Sequence, residues 1–331
     1  RTSCPTGKRW SDPEQETALL YRVPIDRGKV GAVALEGVPA NQFAFDSREG
    51  RFRALLGDRK GGCLGPDEAW PLALLDIPLS AFSETIRHIA PRAYTPLPPI
   101  EGEALENRFM GDWLVYGGRA NWGSFDPDVD RDLKSALFAV PLRNPRALTR
   151  ITIPDNAIRI ERAGPDAVVT GYRDREGMSV SYVSLGTSPR LASTLVIPGR
   201  FESEGRSHAF GAIVRRDGSG LIGLPTTLRT YRADRGWSDS ESSDLSYIAF
   251  GPDKRLTLAG ALSVTKPGER VGQKDNGYSC EVSCIDWYGN SRPIFTSGRI
   301  FALMGTDLVE GELRGGRIVA VARVDMTGPV R

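Results

Sequence analysis

Asp126-Pro127-Asp128-Val129-Asp130-Arg131-Asp132 puts a carboxylate at every second position of one short run. Carboxylates spaced this way can close around one hard cation from a folded loop, and Ca²⁺ takes roughly six to eight oxygens. Two features count against that. Arg131 stands where calcium loops of the D-x-D-x-D-G type carry the glycine of their sharp turn, and Pro127 restricts the first step. Asp126, Asp128, Asp130 and Asp132 therefore read in two ways, as ligands of a Ca²⁺ ion or as an acidic loop turned to water. A second set is aromatic and charged: Trp70, Trp122, Tyr231, Trp237, Trp287 and Tyr288, with Arg119, Arg173, Arg232 and Asp234 beside them. Flat rings and guanidinium groups are enriched where proteins bind partners. The plainer reading is that these large side chains only pin down long loops.

Nucleophilic and acid–base chemistry have thinner support. A Ser-His-Asp site would have to use His88 or His208, and no G-x-S-x-G elbow is present. His88 falls in an outer strand and His208 at the start of an inner one, and both read as structural. Asp46, Glu161 and Asp174 occupy strand positions from which a carboxylate pair can serve a central glycosidase site. Their spacing does not select them, so the catalytic residues stay unassigned. Gly117-Gly118 and Gly315-Gly316 fall at strand turns with no Lys-Ser/Thr or helix behind them, and a phosphate loop is not expected.

Four cysteines, Cys4, Cys63, Cys280 and Cys284, include no C-x-x-C pair, and with two histidines they do not suggest zinc. Paired disulfides in an exported protein are the favoured reading and buried thiols the other. Cys280 and Cys284 stand too far apart along a straight strand to bridge without a turn.

The elements that must position these residues are short and repeated. Ala136–Arg173 reads as two alternating runs followed by a hairpin broken at Gly164-Pro165. One phrase recurs at Leu19–Ile25, Ala73–Leu79 and Leu137–Leu142, with degenerate copies at Val180–Leu185 and Leu245–Phe250. After most copies a second run ends on proline, at Pro39, Pro91, Pro154 and Pro198, where an outer edge strand needs no ladder donor. Hairpin pairs then follow at Phe43–Leu56, Asn107–Tyr116, Ile158–Tyr172 and Ala209–Leu224. Within each unit the strands are named A to D, from the hairpin outward. The closing residues of successive copies, 25, 79, 142, 185 and 250, lie 54, 63, 43 and 65 apart; the shortest spacing matches a four-stranded blade of roughly 40–50 residues and the others leave room for loop insertions, which with no helical stretch predicts an all-β chain. The expected fold is a β-propeller of four-stranded antiparallel blades, about five of them, its ring closed by pairing of the N- and C-terminal strands. Residues 1–16 form an N-terminal arm, 17–325 the propeller, and 265–298 a loop insertion carrying Cys280 and Cys284. In this order the B–C connections (57–72, 117–135, 225–244) share one face with that insertion, which gathers the aromatic and arginine set.

Composition agrees. The 331 residues hold 37 Gly and 23 Pro, and 43 basic against 41 acidic side chains leave a net charge of +2. Without a basic stripe, nucleic acid is not an expected partner, and no apolar run is long enough to span a bilayer. The chain opens at Arg1 without methionine or an apolar leader, which reads as a mature or trimmed start.

Three segments also resemble a known family. They are Asn41-Gln42-Phe43-Ala44-Phe45-Asp46 with Gly50-Arg51-Phe52-Arg53, then Phe109-Met110-Gly111-Asp112-Trp113-Leu114-Val115, then Leu137–Pro145. These resemble the structural turns of secreted bacterial proteins with a C-terminal β-propeller domain, over about residues 17–215. The resemblance implies an exported propeller and no activity; where that family carries an acidic Asp-Leu-Ser-Asp-Pro, this chain has Pro141-Leu142-Arg143-Asn144-Pro145. The expectation is thus a secreted or periplasmic, non-catalytic binding or scaffold module that holds a protein or polysaccharide through its long-loop face. The alternative is a hydrolase or lyase acting on a glycan or peptide at the axis. A third reading is a fragment whose activity lies upstream.

Overall fold

The computed structural model describes residues 17–57, 72–100, 104–119, 136–173, 176–203, 207–232, 237–263 and 291–326. The chain divides into two compact units, Arg1–Arg119 with Ala136–Arg150, and Ala120–Ser135 with Ile151–Arg331.

In the first unit β1 (Thr17–Arg22) and β2 (Gly31–Glu36) form a two-stranded antiparallel sheet. Next come β3 (Val38–Pro39), β4 (Phe45–Arg48), β5 (Arg51–Gly57), β6 (Leu72–Pro78) and β7 (Tyr94–Leu97), ordered β3-β5-β6-β7 with β4 also on β5. The third sheet is ordered β11-β10-β9-β8, from β8 (Ala104–Met110), β9 (Trp113–Arg119), β10 (Ala136–Pro141) and β11 (Thr149–Thr152). The second unit repeats the pattern. β12 (Arg159–Ala163), β13 (Asp166–Arg173), β14 (Gly177–Ser184) and β15 (Arg190–Pro198) pair in chain order. β16 (Arg200–Glu202), β17 (Gly211–Val214), β18 (Gly220–Arg232), β19 (Trp237–Phe250) and β20 (Leu256–Leu262) follow, with β16 and β17 both on β18. The last sheet is β21 (Arg292–Thr296), β22 (Arg299–Met304), β23 (Asp307–Arg314) and β24 (Arg317–Asp325).

The fold class is all-β, built from four-stranded antiparallel blades of propeller type, five of them among the described residues, beside the two-stranded sheet. The repeated phrase forms β1, β6, β10, β14 and the second half of β19. These strands were expected to be half-buried. From β6 onward they are buried on both faces, because sheets stack face to face within each unit. In the first unit Leu55, Leu74, Phe109, Leu114, Tyr116 and Phe138 fill the space between the second and third sheets. In the second unit Val168, Val180, Tyr182, Ile222, Ile248 and Phe250 do the same between the first two sheets. Each large side chain fully withdrawn from water contributes about 1.5–3 kcal/mol, so these interfaces carry the stability of the blades. Tyr182 and Tyr247 keep their hydroxyls satisfied inside, donating to Asp166 Oδ2 at 3.0 Å and to the Phe301 carbonyl at 3.1 Å. Burial raises the pKa of both phenols.

Three expectations are corrected. Ile86–Pro91 is not an outer strand: His88 makes an isolated bridge with Ala34, and the outer strand is β7, after a one-turn 3-10 helix that begins at Pro91. Within the expected 225–244 connection, residues 225–232 and 237–244 are not irregular. Their backbone continues the ladder, with Tyr231 opposite Ser238 and Arg232 opposite Trp237. The last segment is a complete blade, because β21, inside the expected 265–298 insertion, supplies its first strand. β1 pairs with β2, and β24 with β23. No helix among these residues is long and apolar enough to cross a membrane.

Candidate functional site

In the second unit β13, β18 and β19 change character along their length. β18 begins with Leu221, Ile222 and Leu224 and turns polar at Thr226 and Thr227. β19 reverses this, passing from Asp244 and Ser246 to Ile248 and Phe250, as antiparallel pairing of like with like requires. β13 runs from Val168 and Val169 to Thr170, Gly171, Tyr172 and Arg173. The apolar ends lie together: a Cβ built on Gly164, in the β12–β13 turn, would meet Val214 Cγ2, at the end of β17, at 2.9 Å. The polar ends of both blades must therefore share the opposite end, where β13 and β18 lead into their B–C connections.

That end holds a buried layer of charge. Arg159, on β12, is 5% exposed and places Nη2 2.7 Å from Oε1 of Glu202, on β16, which is 2% exposed. Its Nη1 lies 3.5 Å from Oε1 of Glu161. Thr170 Oγ1 donates to Glu202 Oε2 at 3.2 Å. Beside them, Arg200 reaches Asp244 Oδ2 at 2.8 Å and donates to Thr226 Oγ1 at 3.1 Å, and Thr226 shares a 2.6 Å hydrogen bond with Ser246. Buried charges are tolerated only when paired and hydrogen-bonded in this way. The Arg159–Glu202 pair spans two sheets, so it also fixes one innermost strand against the next.

Above the layer stands Arg173. It donates through Nε and Nη2 to the two carboxylate oxygens of Asp155, at 2.9 and 3.2 Å. Its side chain stays 38% exposed while that of Asp155 is 4% exposed. The sequence arranges this through a glycine. A Cβ on Gly171 would fall 1.7 Å from the Asn156 carbonyl oxygen, so only glycine lets the chain at Asp155-Asn156 close on β13. Asn156 Oδ1 then accepts the Tyr172 amide at 2.7 Å. In the neighbouring blade, β18 and β19 stay paired past the last residues bonded to β16 and β20, and Tyr231, Arg232 and Trp237 are backbone positions of that ribbon.

Of the residues singled out from sequence, Arg173 is thus held rigid at the rim, and Tyr231, Arg232 and Trp237 share the ribbon tip. Arg119 ends β9 in the first unit, opposite Ala104. Trp70, Trp122, Asp234, Trp287, Tyr288, Asp174, the run Asp126, Asp128, Asp130 and Asp132, and all four cysteines lie outside the described residues. Among the described residues no group of three or more His, Cys, Asp or Glu could hold a metal ion. Glu161 lies in the buried layer. Asp46, in the first unit, receives Arg48 Nε at 2.7 Å and Arg53 Nη1 at 3.1 Å. His208 sits exposed in a one-turn 3-10 helix.

Sequence reading missed Arg159, Arg200, Glu202, Asp244 and Asp155. A signal was there: Arg159-Ile160-Glu161 and Arg200-Phe201-Glu202 repeat one Arg-x-Glu step at the start of consecutive innermost strands. Chemically, these carboxylates are occupied by guanidinium groups and shut from water. The arrangement is a buried, charge-paired floor beneath the exposed guanidinium of Arg173.

No family model matches the chain, and no curated protein matches it. Among solved structures it is similar to Kluyveromyces lactis Hsv2, at 9% identity over 94% of this chain and 84% of that one, with a TM-score of 0.40. A complex of KlAtg21 with the coiled coil of AgAtg16 aligns at 10% identity over 94% and 82%, with a TM-score of 0.38. The periplasmic gluconolactonase PpgL of Pseudomonas aeruginosa aligns at 10% identity over 93% and 96%, with a TM-score of 0.32. These likenesses are weak, and the fold assignment rests on the strand ladders.

Proposed function

We propose that the chain is an exported, non-catalytic binding or scaffold module that recognises a protein or polysaccharide partner through the face formed by its B–C ends. The observation that supports this is the contrast between floor and rim. Glu161, Glu202 and Asp244 are taken up by arginines in a buried layer. Arg173, by contrast, is oriented by Asp155 yet open to solvent, and the β18–β19 ribbon of the next blade includes Tyr231, Arg232 and Trp237. A buried, charge-paired support beneath an oriented and exposed arginine suits recognition, since little side-chain freedom is lost on binding. A glycosidase needs two carboxylates that reach substrate, and these do not.

The test is site-specific crosslinking from a photoreactive residue at Arg232, in the host's envelope fraction, beside co-sedimentation with a panel of insoluble polysaccharides. Crosslinking or sedimentation that is lost in an Arg173→Ala, Trp237→Ala double variant supports the reading. Capture that the double variant leaves unchanged would overturn it, as would glycan cleavage by the wild type that Glu161→Gln abolishes.

A further inference from the structure

Asn107, on β8, is fully buried, and neither its amide nitrogen Nδ2 nor its carbonyl oxygen Oδ1 has a hydrogen-bond partner among the described residues. Folded proteins rarely leave a buried amide in that state, because it gives up its hydration and receives nothing in return. Tyr116, directly opposite on β9, shows the usual solution: its hydroxyl donates to the Pro98 carbonyl at 2.8 Å.

The strand fixes where this amide lies. Side chains alternate along β8, so Asn107 shares a face with Leu105 and Phe109, and with Tyr116 across the ladder. Phe109 and Tyr116 belong to the apolar cluster between the second and third sheets, and Leu105 packs against it. The same cluster takes Ala44, Leu55 and Leu74 from the other side, each at most 1% exposed. Asn107 is therefore a polar group on a sheet face that otherwise presents hydrocarbon. Close by, the chain leaves the ladder between β3 and β4. In the turn Asn41–Ala44, Asn41 Oδ1 accepts the Phe43 amide at 2.8 Å and the Asn41 carbonyl accepts the Ala44 amide at 3.1 Å. This turn lies against β8, since the guanidinium carbon of Arg108 stands 3.3 Å from the centre of the Phe43 ring. Peptide groups outside any strand ladder thus border the strand that carries Asn107.

What the amide needs narrows the ligand. Nδ2 must donate and Oδ1 must accept, so whatever serves both atoms has to be an acceptor and a donor at once. A bare cation serves only Oδ1, and a simple anion only Nδ2. Burial on a packed face also requires something small. Water meets each condition, and buried water commonly makes about three hydrogen bonds to polar groups that are otherwise unsatisfied. We propose that Asn107 binds an internal water between the second and third sheets, and that this water carries the amide's hydrogen bonding to the backbone of the Asn41–Ala44 turn. It ties the innermost strand of the third sheet to the inner edge of the second.

A high-resolution crystal structure of the full 331-residue chain is the direct test. The expected result is an ordered oxygen about 2.7–3.2 Å from Asn107 Nδ2 or Oδ1, and within the same reach of a peptide group of Asn41–Ala44. In solution, water oxygen-17 relaxation dispersion counts waters held inside the protein for long times. Asn107→Leu should lose at least one of them relative to the wild type, whereas Asn107→Ser, which keeps a donor and an acceptor, should retain it; circular dichroism checks that both variants fold. Equal dispersion from the wild type and a folded Asn107→Leu overturns the proposal. So does a crystal structure in which no water lies at the amide, or in which a protein group bonds to both of its atoms. A water bonded to Asn107 but not to the turn overturns the tie between the sheets. Should Asn107→Leu fail to fold, the crystal structure of the wild type still decides.

Discussion

Replacing Arg159 by methionine keeps most of the side-chain volume and removes the charge that serves Glu202 and Glu161. Glu202 Oε1 lies 2.7 Å from Arg159 Nη2, and both residues are buried. Removing one member of a buried pair strands the other, at a cost of about 3–5 kcal/mol. The second unit, Ala120–Ser135 with Ile151–Arg331, falls in the size class where 1 kcal/mol shifts the midpoint by about 2–4 °C. Arg159→Met should therefore lower the melting temperature by roughly 6–20 °C. The informative partner is the Arg159→Met, Glu202→Gln double variant, in which no charge is left stranded at that contact. Calorimetry should find the double variant more stable than the sum of the single effects predicts, with a coupling of at least about 1 kcal/mol. Two results would refute the latch: a single variant that melts within about 2 °C of the wild type, or strictly additive effects. Either would mean that the layer is wet enough for Glu202 to find water.

Gly171→Ala should destabilise by about 3 kcal/mol or more, because its methyl would sit 1.7 Å from the Asn156 carbonyl oxygen; a thermal melt unchanged from the wild type would contradict the close approach. The paired guanidinium of Arg299 holds Glu310 below its ordinary value of 4.5. A lowered acid contributes stability that is present above its unfolded value and is lost as pH falls through its folded value. The melting difference between wild type and Glu310→Gln should thus be present at pH 6 and vanish as acid is added toward the folded value; a pH-independent difference counts against the pair. If Asp126, Asp128, Asp130 and Asp132 hold Ca²⁺, EDTA should lower the melting temperature and added Ca²⁺ restore it, whereas an unchanged melt removes the site. Bridged cysteines should leave fewer than four titratable thiols in the unreduced, unfolded chain of four; a full count of thiols would refute the disulfides.

Strand periodicity was readable because each blade repeats it locally. Leu137–Leu142 and Val180–Leu185 alternate, turn at glycine or proline, and recur at blade spacing, so all-β architecture and the A–B hairpins follow from neighbours in sequence. Ile86–Pro91 was misread for the same reason. Its apolar run and proline match an outer strand, but Tyr94–Leu97 takes that place beside β6, and nothing local ranks one edge candidate above the other. The 225–244 stretch looked like a loop because its serines and acids lack an apolar face; at residues 225–232 and 237–244 the ladder is held by backbone pairing of the two strands.

The candidate site divides in the same way. The sequence by itself marked Arg173 and the aromatic tip of the ribbon, since large flat and cationic side chains in polar stretches stand out without any contact information. It also contained the Arg-x-Glu step at Arg159 and Arg200 without disclosing its meaning. Whether those charges face water or one another depends on the stacking of β12 against β16, two strands separated by three others in the chain. Charge pairing across a sheet interface is a long-range contact, and an ionised side chain in a strand reads as solvent-facing until a second sheet covers it. Tertiary structure decided that Glu161 and Glu202 are floor and Arg173 is rim, because burial, which sets what a charge costs and what must pair with it, is a property of packed sheets and not of a strand.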